Sequence, residues 1–331
     1  ATSLKPLVDS ICTAGHYKEY YPNVLPAKHH LMNSEPSSAM GSDGHGFWKF
    51  GPHETPVTIK NAEALLAYLP YHLAGWDISW AGLSSTTDPD IYIEEYADGT
   101  ISVSSYGRSD TDSLFENPYE AANGLAKKIV HVHTTRDQDT ICLNAGAVEI
   151  NGGLVVIVGD LFAEKSSVAL HLSVLGYRLF GSEQIAISMG SDSIGTCVGL
   201  MPKVRLPLPY DCGDAFREFV EGYSSMQNEE VAYLKLWDRE AAGFGESSPV
   251  SAIVFLDPRK AARSSIELDL KCDFGSKMAS IAYAPHINAS MLRSGLTQFV
   301  EHIPSYILRF TSGREAAALI SKEWHNATAV L

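Results

Sequence analysis

The stretch from Leu154 to Gly176 limits what this chain can fold into more than any other. It opens on Leu154-Val155-Val156-Ile157-Val158, an apolar, mostly β-branched run bracketed by Gly152-Gly153 and Gly159, which predicts a buried strand. A short loop, Asp160 to Glu164, leads into Lys165-Ser166-Ser167. From there Val168, Leu172 and Leu175 fall at i, i+4 and i+7, one face of a helix, and Gly176 stands where a C-terminal cap belongs.

Strand, glycine, loop, Lys-Ser and helix is the layout of a phosphate-binding loop. There the amides at the helix N-terminus hold an anion, the lysine reaches the β- and γ-phosphates, and the hydroxyl holds Mg²⁺. The pattern is G-x-x-x-x-G-K-[ST], and the chain reads Gly159-Asp160-Leu161-Phe162-Ala163-Glu164-Lys165-Ser166. First glycine, spacing, lysine and serine are present, but Glu164 replaces the second glycine. A carboxylate there opposes a polyanion through like charge.

Composition narrows the classes of partner. The chain has 331 residues, 45% of them hydrophobic, and a mean hydropathy of −0.04, which suits a soluble globular protein with a large core. The formal charge of −14 and the lack of any basic run beyond Lys127-Lys128 argue against nucleic acid as a partner. No apolar run is long enough to span a bilayer and no leader pattern opens the sequence, so no membrane partner is expected. The expected location is the cytoplasm or an intracellular assembly. Cys12, Cys142, Cys197, Cys212 and Cys272 are widely spaced, with no CxxC pair, and read as free thiols.

Along the chain, residues 1–56 are rich in Tyr, His, Pro, Ser and Gly and read as an irregular N-terminal arm. Residues 57–138 read as a small α+β domain. Asn61 would cap a helix running to Leu69, 90–96 and 100–106 would form a hairpin across Asp98-Gly99, and Asn117-Pro118 would open a helix to about Lys128. Residues 139–331 read as the larger domain. Further strands are expected at 178–180, 184–188, 249–256 and 306–310, and helices at 211–223, 291–303 and 312–324. His131 and His133 would share a face if 129–133 is a strand, while His29, His30, His45 and His53 cluster in the arm. No zinc-ligand spacing such as HExxH is present, and neither the Asp211, Cys212, Asp214 group nor the 109–113 stretch forms a recognisable site.

The order of these pieces, and the ungapped run 143–187 in particular, resembles the HPr kinase/phosphorylase family, whose phosphate-loop domain is related to phosphoenolpyruvate carboxykinase. The run keeps Leu143, Val148, Gly152, Gly159, Lys165, Ser166, Ala169, Leu170, Leu172, Gly176, Tyr177, Arg178, Leu179, Ile185 and Ile187 of that family's pattern. The resemblance implies an α/β fold: a small N-terminal α+β domain plus an HPr-kinase/carboxykinase-type domain with a central mixed sheet flanked by helices. It also implies positions of function. Asn144 stands where the family has a histidine, Phe162 and Glu164 where it has loop glycines, and Ser182-Glu183 where it has two aspartates.

Two functions of different class follow. One is a degenerate, non-catalytic member serving as a binding or assembly component, with a protein partner or a second copy and no cofactor. In it Phe162 and Glu164 would pack or pair with Lys165 and hold the loop closed. The other is an active kinase using ATP and Mg²⁺ on a serine hydroxyl or a small molecule. Gly159, Lys165, Ser166, Ser167 and Arg205 would then hold the nucleotide, Ser166 and Glu183 the metal, and Glu183 would act as base.

Overall fold

The computed structural model describes residues 46–85, 87–105, 113–189, 193–237, 239–257, 263–269 and 274–328, the last few of α6 by backbone alone. The chain divides into two compact units that meet in sequence at His133/Thr134.

The described part of the first unit, 46–133, is built on one six-stranded sheet. Its strands are β1 (Phe47–Phe50), β2 (Val57–Lys60), β3 (Ile78–Gly82), β4 (Ile91–Glu95), β5 (Ile101–Ser105) and β6 (Ser113–Phe115), in the order β3-β1-β2-β4-β5-β6. Cross-strand register puts Phe50 opposite Val57, Ile59 opposite Ile91 and Ile93 opposite Val103, so these six apolar side chains share a face and are buried. The helix α1 (Pro118–Thr134) buries Leu125 and Ile129, and its Lys128 Nζ donates to Val103 O at 2.9 Å. Asn117 caps it by accepting from the Glu120 amide at 2.9 Å.

Two expectations in this unit fail, and an open alternative is decided. The 1–56 arm is not irregular throughout, because 47–50 form β1, paired on both sides. Residues 61–69 make no α-helix. Asn61 sits at φ 64°, beyond helical reach, and gives its Nδ2 to Ile93 O at 3.1 Å, leaving short 3-10 turns at Glu63–Leu65 and Leu69–Tyr71, the second containing Pro70. Residues 129–133 continue α1, so His131 and His133 do not share a strand face. His29, His30, His45, Cys12, Cys272, Asp110 and Asp112 lie outside the described residues.

The second unit is organised by a ten-stranded mixed sheet. It contains β7 (Thr140–Leu143), β8 (Gly146–Ile150), β9 (Gly153–Val158), and, after α2 (Lys165–Val174), β10 (Arg178–Gly181), β11 (Ile185–Ser188) and β12 (Ile194–Thr196). β13 (Lys203–Arg205), α3 (Asp214–Tyr223), β14 (Ser224–Gln227) and β15 (Val231–Leu234) follow, the three strands forming a separate small sheet. The chain returns through β16 (Ser247–Asp257), β17 (Ser265–Leu268), α4 (Phe274–Ile281), β18 (Ala282–Tyr283), α5 (Ala289–Glu301), β19 (Ser305–Arg309) and α6 (Gly313–Thr328). β16 runs parallel to β9 on one side and to β19 on the other, and the remaining pairs are antiparallel.

β9 explains why its sequence has no polar residue. Val155 and Ile157 pack with Val168 and Leu172 of α2, Phe216 and Phe219 of α3, and Ala317 and Ile320 of α6. Leu154, Val156 and Val158 pack with Phe274 and Met278 of α4 and Leu296 and Phe299 of α5. A strand covered by helices on both faces must be apolar on both, each buried side chain contributing about 1.5–3 kcal/mol. Asn288 caps α5 through the Met291 amide at 2.9 Å, and Ser312 caps α6 through the Glu315 amide at 3.3 Å. The fold class is α/β, with mixed sheets flanked by helices.

Candidate functional site

The loop between β9 and α2 brings together most of the residues singled out in the sequence. Gly159 closes β9 where no side chain fits. A Cβ there would stand 2.9 Å from the Ala163 Cβ and 3.2 Å from that of Leu256. Phe162 and Glu164 lie at φ 67° and 62°, the left-handed region that disfavours both residue types by about 1–2 kcal/mol. The loop thus keeps a glycine-like backbone path at two positions that carry side chains.

Lys165 is buried, and its ammonium turns back on its own loop. Nζ donates to Gly159 O at 2.9 Å and to Asp160 O at 3.0 Å. Burial pulls its pKa below the usual lysine range, while the Asp160 and Glu183 carboxylates act the other way. Ser166 Oγ donates to Ser182 O at 2.7 Å. Glu183 pairs with Lys203 Nζ at 3.1 Å. The hydroxyl expected on Mg²⁺ and the carboxylate expected as base are therefore both engaged by protein groups.

Glu164 does not pair with Lys165, as a self-sealed loop had suggested. The Gly313 amide, at the N-terminus of α6, acts to lower the pKa of its carboxylate, as partial positive charge there favours an anion. Burial, with Asp211 nearby, nevertheless raises its pKa. The approach is close. A Cβ on Gly313 would lie 2.5 Å from Ser167 Oγ and 3.2 Å from His171 Cδ2, so only glycine admits the first turn of α2. Ser167, expected among nucleotide contacts, thus packs against α6. His171 stacks on Phe216 with ring centroids 4.0 Å apart, and burial drives its pKa down to about 3, with the Arg314 charge adding to the shift.

Arg205 reaches the loop from outside, its guanidinium carbon 4.9 Å from the Phe162 ring centre. Leu161 and Phe162 are exposed around it. Asn144 is exposed too, and its amide donates to Ile281 O at 3.0 Å. Arg178, in the Gly-Tyr-Arg-Leu turn, holds Glu246 in a two-pronged pair, Nη2 to Oε2 at 2.8 Å, with Glu149 4.0 Å away. Two residues escaped sequence reasoning, Lys203 and Gly313, while Asp211 was weighed only with Cys212 and Asp214 and not with Glu164. Lys203 had a signal, because it stands two residues from Arg205 on a strand and so on the same face. Cys142 and Cys197 are buried thiols, their pKa values pushed up to about 12 and about 11, and Cys212 is buried as well. Among the described residues no three His, Cys, Asp or Glu side chains gather as a metal site, and no helix is long and apolar enough to cross a membrane.

No family model matches the chain and no curated protein matches it. Among solved structures it is similar to the HPr(Ser) kinase/phosphatase from Coxiella burnetii, at 16% identity over 57% of this chain and 90% of that one, with a TM-score of 0.29. The likeness is distant.

Proposed function

We propose that this chain is a degenerate HPr-kinase-like protein that binds or assembles with other protein rather than transferring phosphate. One observation carries the reading: the groups a kinase would present to nucleotide are already engaged by the protein. Lys165 is spent on the carbonyls of Gly159 and Asp160, Ser166 on Ser182 O, and Glu183 on Lys203. To meet Mg²⁺ and a γ-phosphate each would have to release its partner, and phosphoryl transfer depends on groups positioned in advance. Glu164 and Phe162 add a carboxylate and a ring where the loop would close on phosphate. The partner classes that suit the charge of −14 are proteins, not nucleic acid.

The alternative, an ATP- and Mg²⁺-dependent kinase with Glu183 as base, has one observation in its favour. The loop keeps its left-handed turns at 162 and 164, and the amides of Lys165, Ser166 and Ser167 meet no acceptor among the described residues. An anion could use them. A thermal-shift titration separates the readings. With Mg·ATP at about 1 mM, a site of micromolar affinity adds roughly 4 kcal/mol and raises Tm by several degrees. The proposal expects no shift, and a shift of that size overturns it.

A further inference from the structure

The loop between β9 and α2 follows a path that its own residues disfavour. Phe162 and Glu164 both take left-handed φ, and the backbone bond inside the loop, Ala163 N to Asp160 O at 3.1 Å, spans a single turn. Such a path persists where the surrounding structure imposes it. One side chain of β13 reaches this loop, and a second reaches the turn beside it. Arg205 brings its guanidinium carbon to 4.9 Å from the Phe162 ring centre. Lys203 Nζ stands 3.1 Å from Glu183 Oε1, and at 22% and 20% exposed this pair is shielded from the screening that weakens surface ion pairs. The two cations are two residues apart and share one face of the strand, while Val204 packs against the core of the second unit.

Ser182-Glu183, the turn between β10 and β11, is gripped from both sides. Lys203 holds Glu183 from the small sheet, and Ser166 of α2 donates its Oγ to the buried Ser182 O at 2.7 Å. β13 is itself fixed to β15, with Lys203 opposite Tyr233 and Arg205 opposite Val231, and the Leu234 amide donates to Pro202 O at 2.9 Å. The three-stranded sheet, the turn and the start of α2 thus form one chain of contacts around the loop.

We infer that β13 is a clasp on this loop: through Arg205 on Phe162 and Lys203 on the Ser182-Glu183 turn, the three-stranded sheet holds the loop in its closed path, and loop and strand open together. The inference deepens the reading of a self-closed loop by naming the element that closes it. It stands or falls on loop opening, whether or not nucleotide binds.

Hydrogen exchange of the full chain, read by mass spectrometry on peptides from 160–170, β13 and α5, tests it. Lys203→Met with Arg205→Met keeps the side-chain stems and removes both charges. Exchange in 160–170, where the Ala163 and Val168 amides donate to Asp160 O and Glu164 O, should rise about tenfold, with α5 at the parent rate. Lys203→Arg with Arg205→Lys keeps both cations and should stay within about threefold of the parent. Coupling runs both ways, so Phe162→Leu with Ser166→Ala should raise exchange along β13 by a similar factor. A loop indifferent to the methionine pair overturns the inference. So does a rise shared equally by α5, an Arg/Lys exchange as damaging as the methionine pair, or a β13 indifferent to the loop variants.

Discussion

Lys165 and Gly159, the lysine and first glycine of one loop, are bonded to each other: the ammonium donates to the glycine carbonyl at 2.9 Å. In a loop waiting for phosphate that ammonium would face the ligand. Here it fastens the end of β9 to the start of α2, with Asp160 O as its second acceptor. The loop's phosphate-loop lysine becomes an internal tie.

The tie has a measurable strength. Lys165→Ala removes the donor for two part-buried carbonyls, and each hydrogen bond lost costs about 0.5–1.5 kcal/mol. Urea unfolding should show a loss of that order, whereas a lysine kept only for ligand would cost little when the ligand is absent.

Gly159→Ala should be destabilising for a reason unrelated to phosphate. The new methyl would press on Ala163 and Leu256 at 2.9 and 3.2 Å, overpacking worth about 1–3 kcal/mol. Glu164→Gly should change stability by less than about 1 kcal/mol, since relief of the left-handed strain is largely offset by the freedom glycine gains when unfolded. The same urea series measures both.

Glu164 also sets a pH dependence. Its folded pKa lies above the ordinary 4.5, so between those two values the folded state binds more protons than the unfolded one. Ionised Glu164 therefore works against stability above its folded pKa, and the penalty fades as pH falls toward 4.5. Glu164→Gln should be more stable than the parent at pH 7, with the gap closing by about pH 4.5.

His171 acts in the opposite sense. Its folded pKa of about 3 lies below the ordinary 6.5, so the unfolded state takes up a proton first and stability is lost as pH falls from 6.5 toward 3. The slope for this one group approaches 1.4 kcal/mol per pH unit. In His171→Leu that part of the slope should vanish, as denaturant midpoints at pH 7, 6 and 5 would show.

What could be read from the sequence, and what could not, divides along a physical line. β9 was legible because a strand covered on both faces has to be apolar at every position, and the cap at Asn117 because its partner lies three residues on; the cap at Asn288 was not read, and the helix it opens was expected to begin at 291. The helix expected at 61–69 was not there: Leu65 and Leu69 are spaced like a helix face, but Asn61 takes a left-handed turn and Pro70 follows. β1 was hidden because four residues give too short a period, in a stretch full of glycine and proline. At the loop, the positions of Lys165, Ser166 and Glu183 were legible from local order. Their actual partners were not: Gly313 comes to Glu164, and Lys203 to Glu183, only through the packing of α6 and β13.

The claim that the loop is closed by its own residues meets its most direct test in calorimetry of Mg·ATP on the full chain, beside Lys165→Ala. The account predicts no heat of binding from either protein at nucleotide concentrations up to about 1 mM. Micromolar binding to the parent that Lys165→Ala abolishes would contradict it, and would return Lys165 and Ser166 to the nucleotide and Glu183 to the role of base.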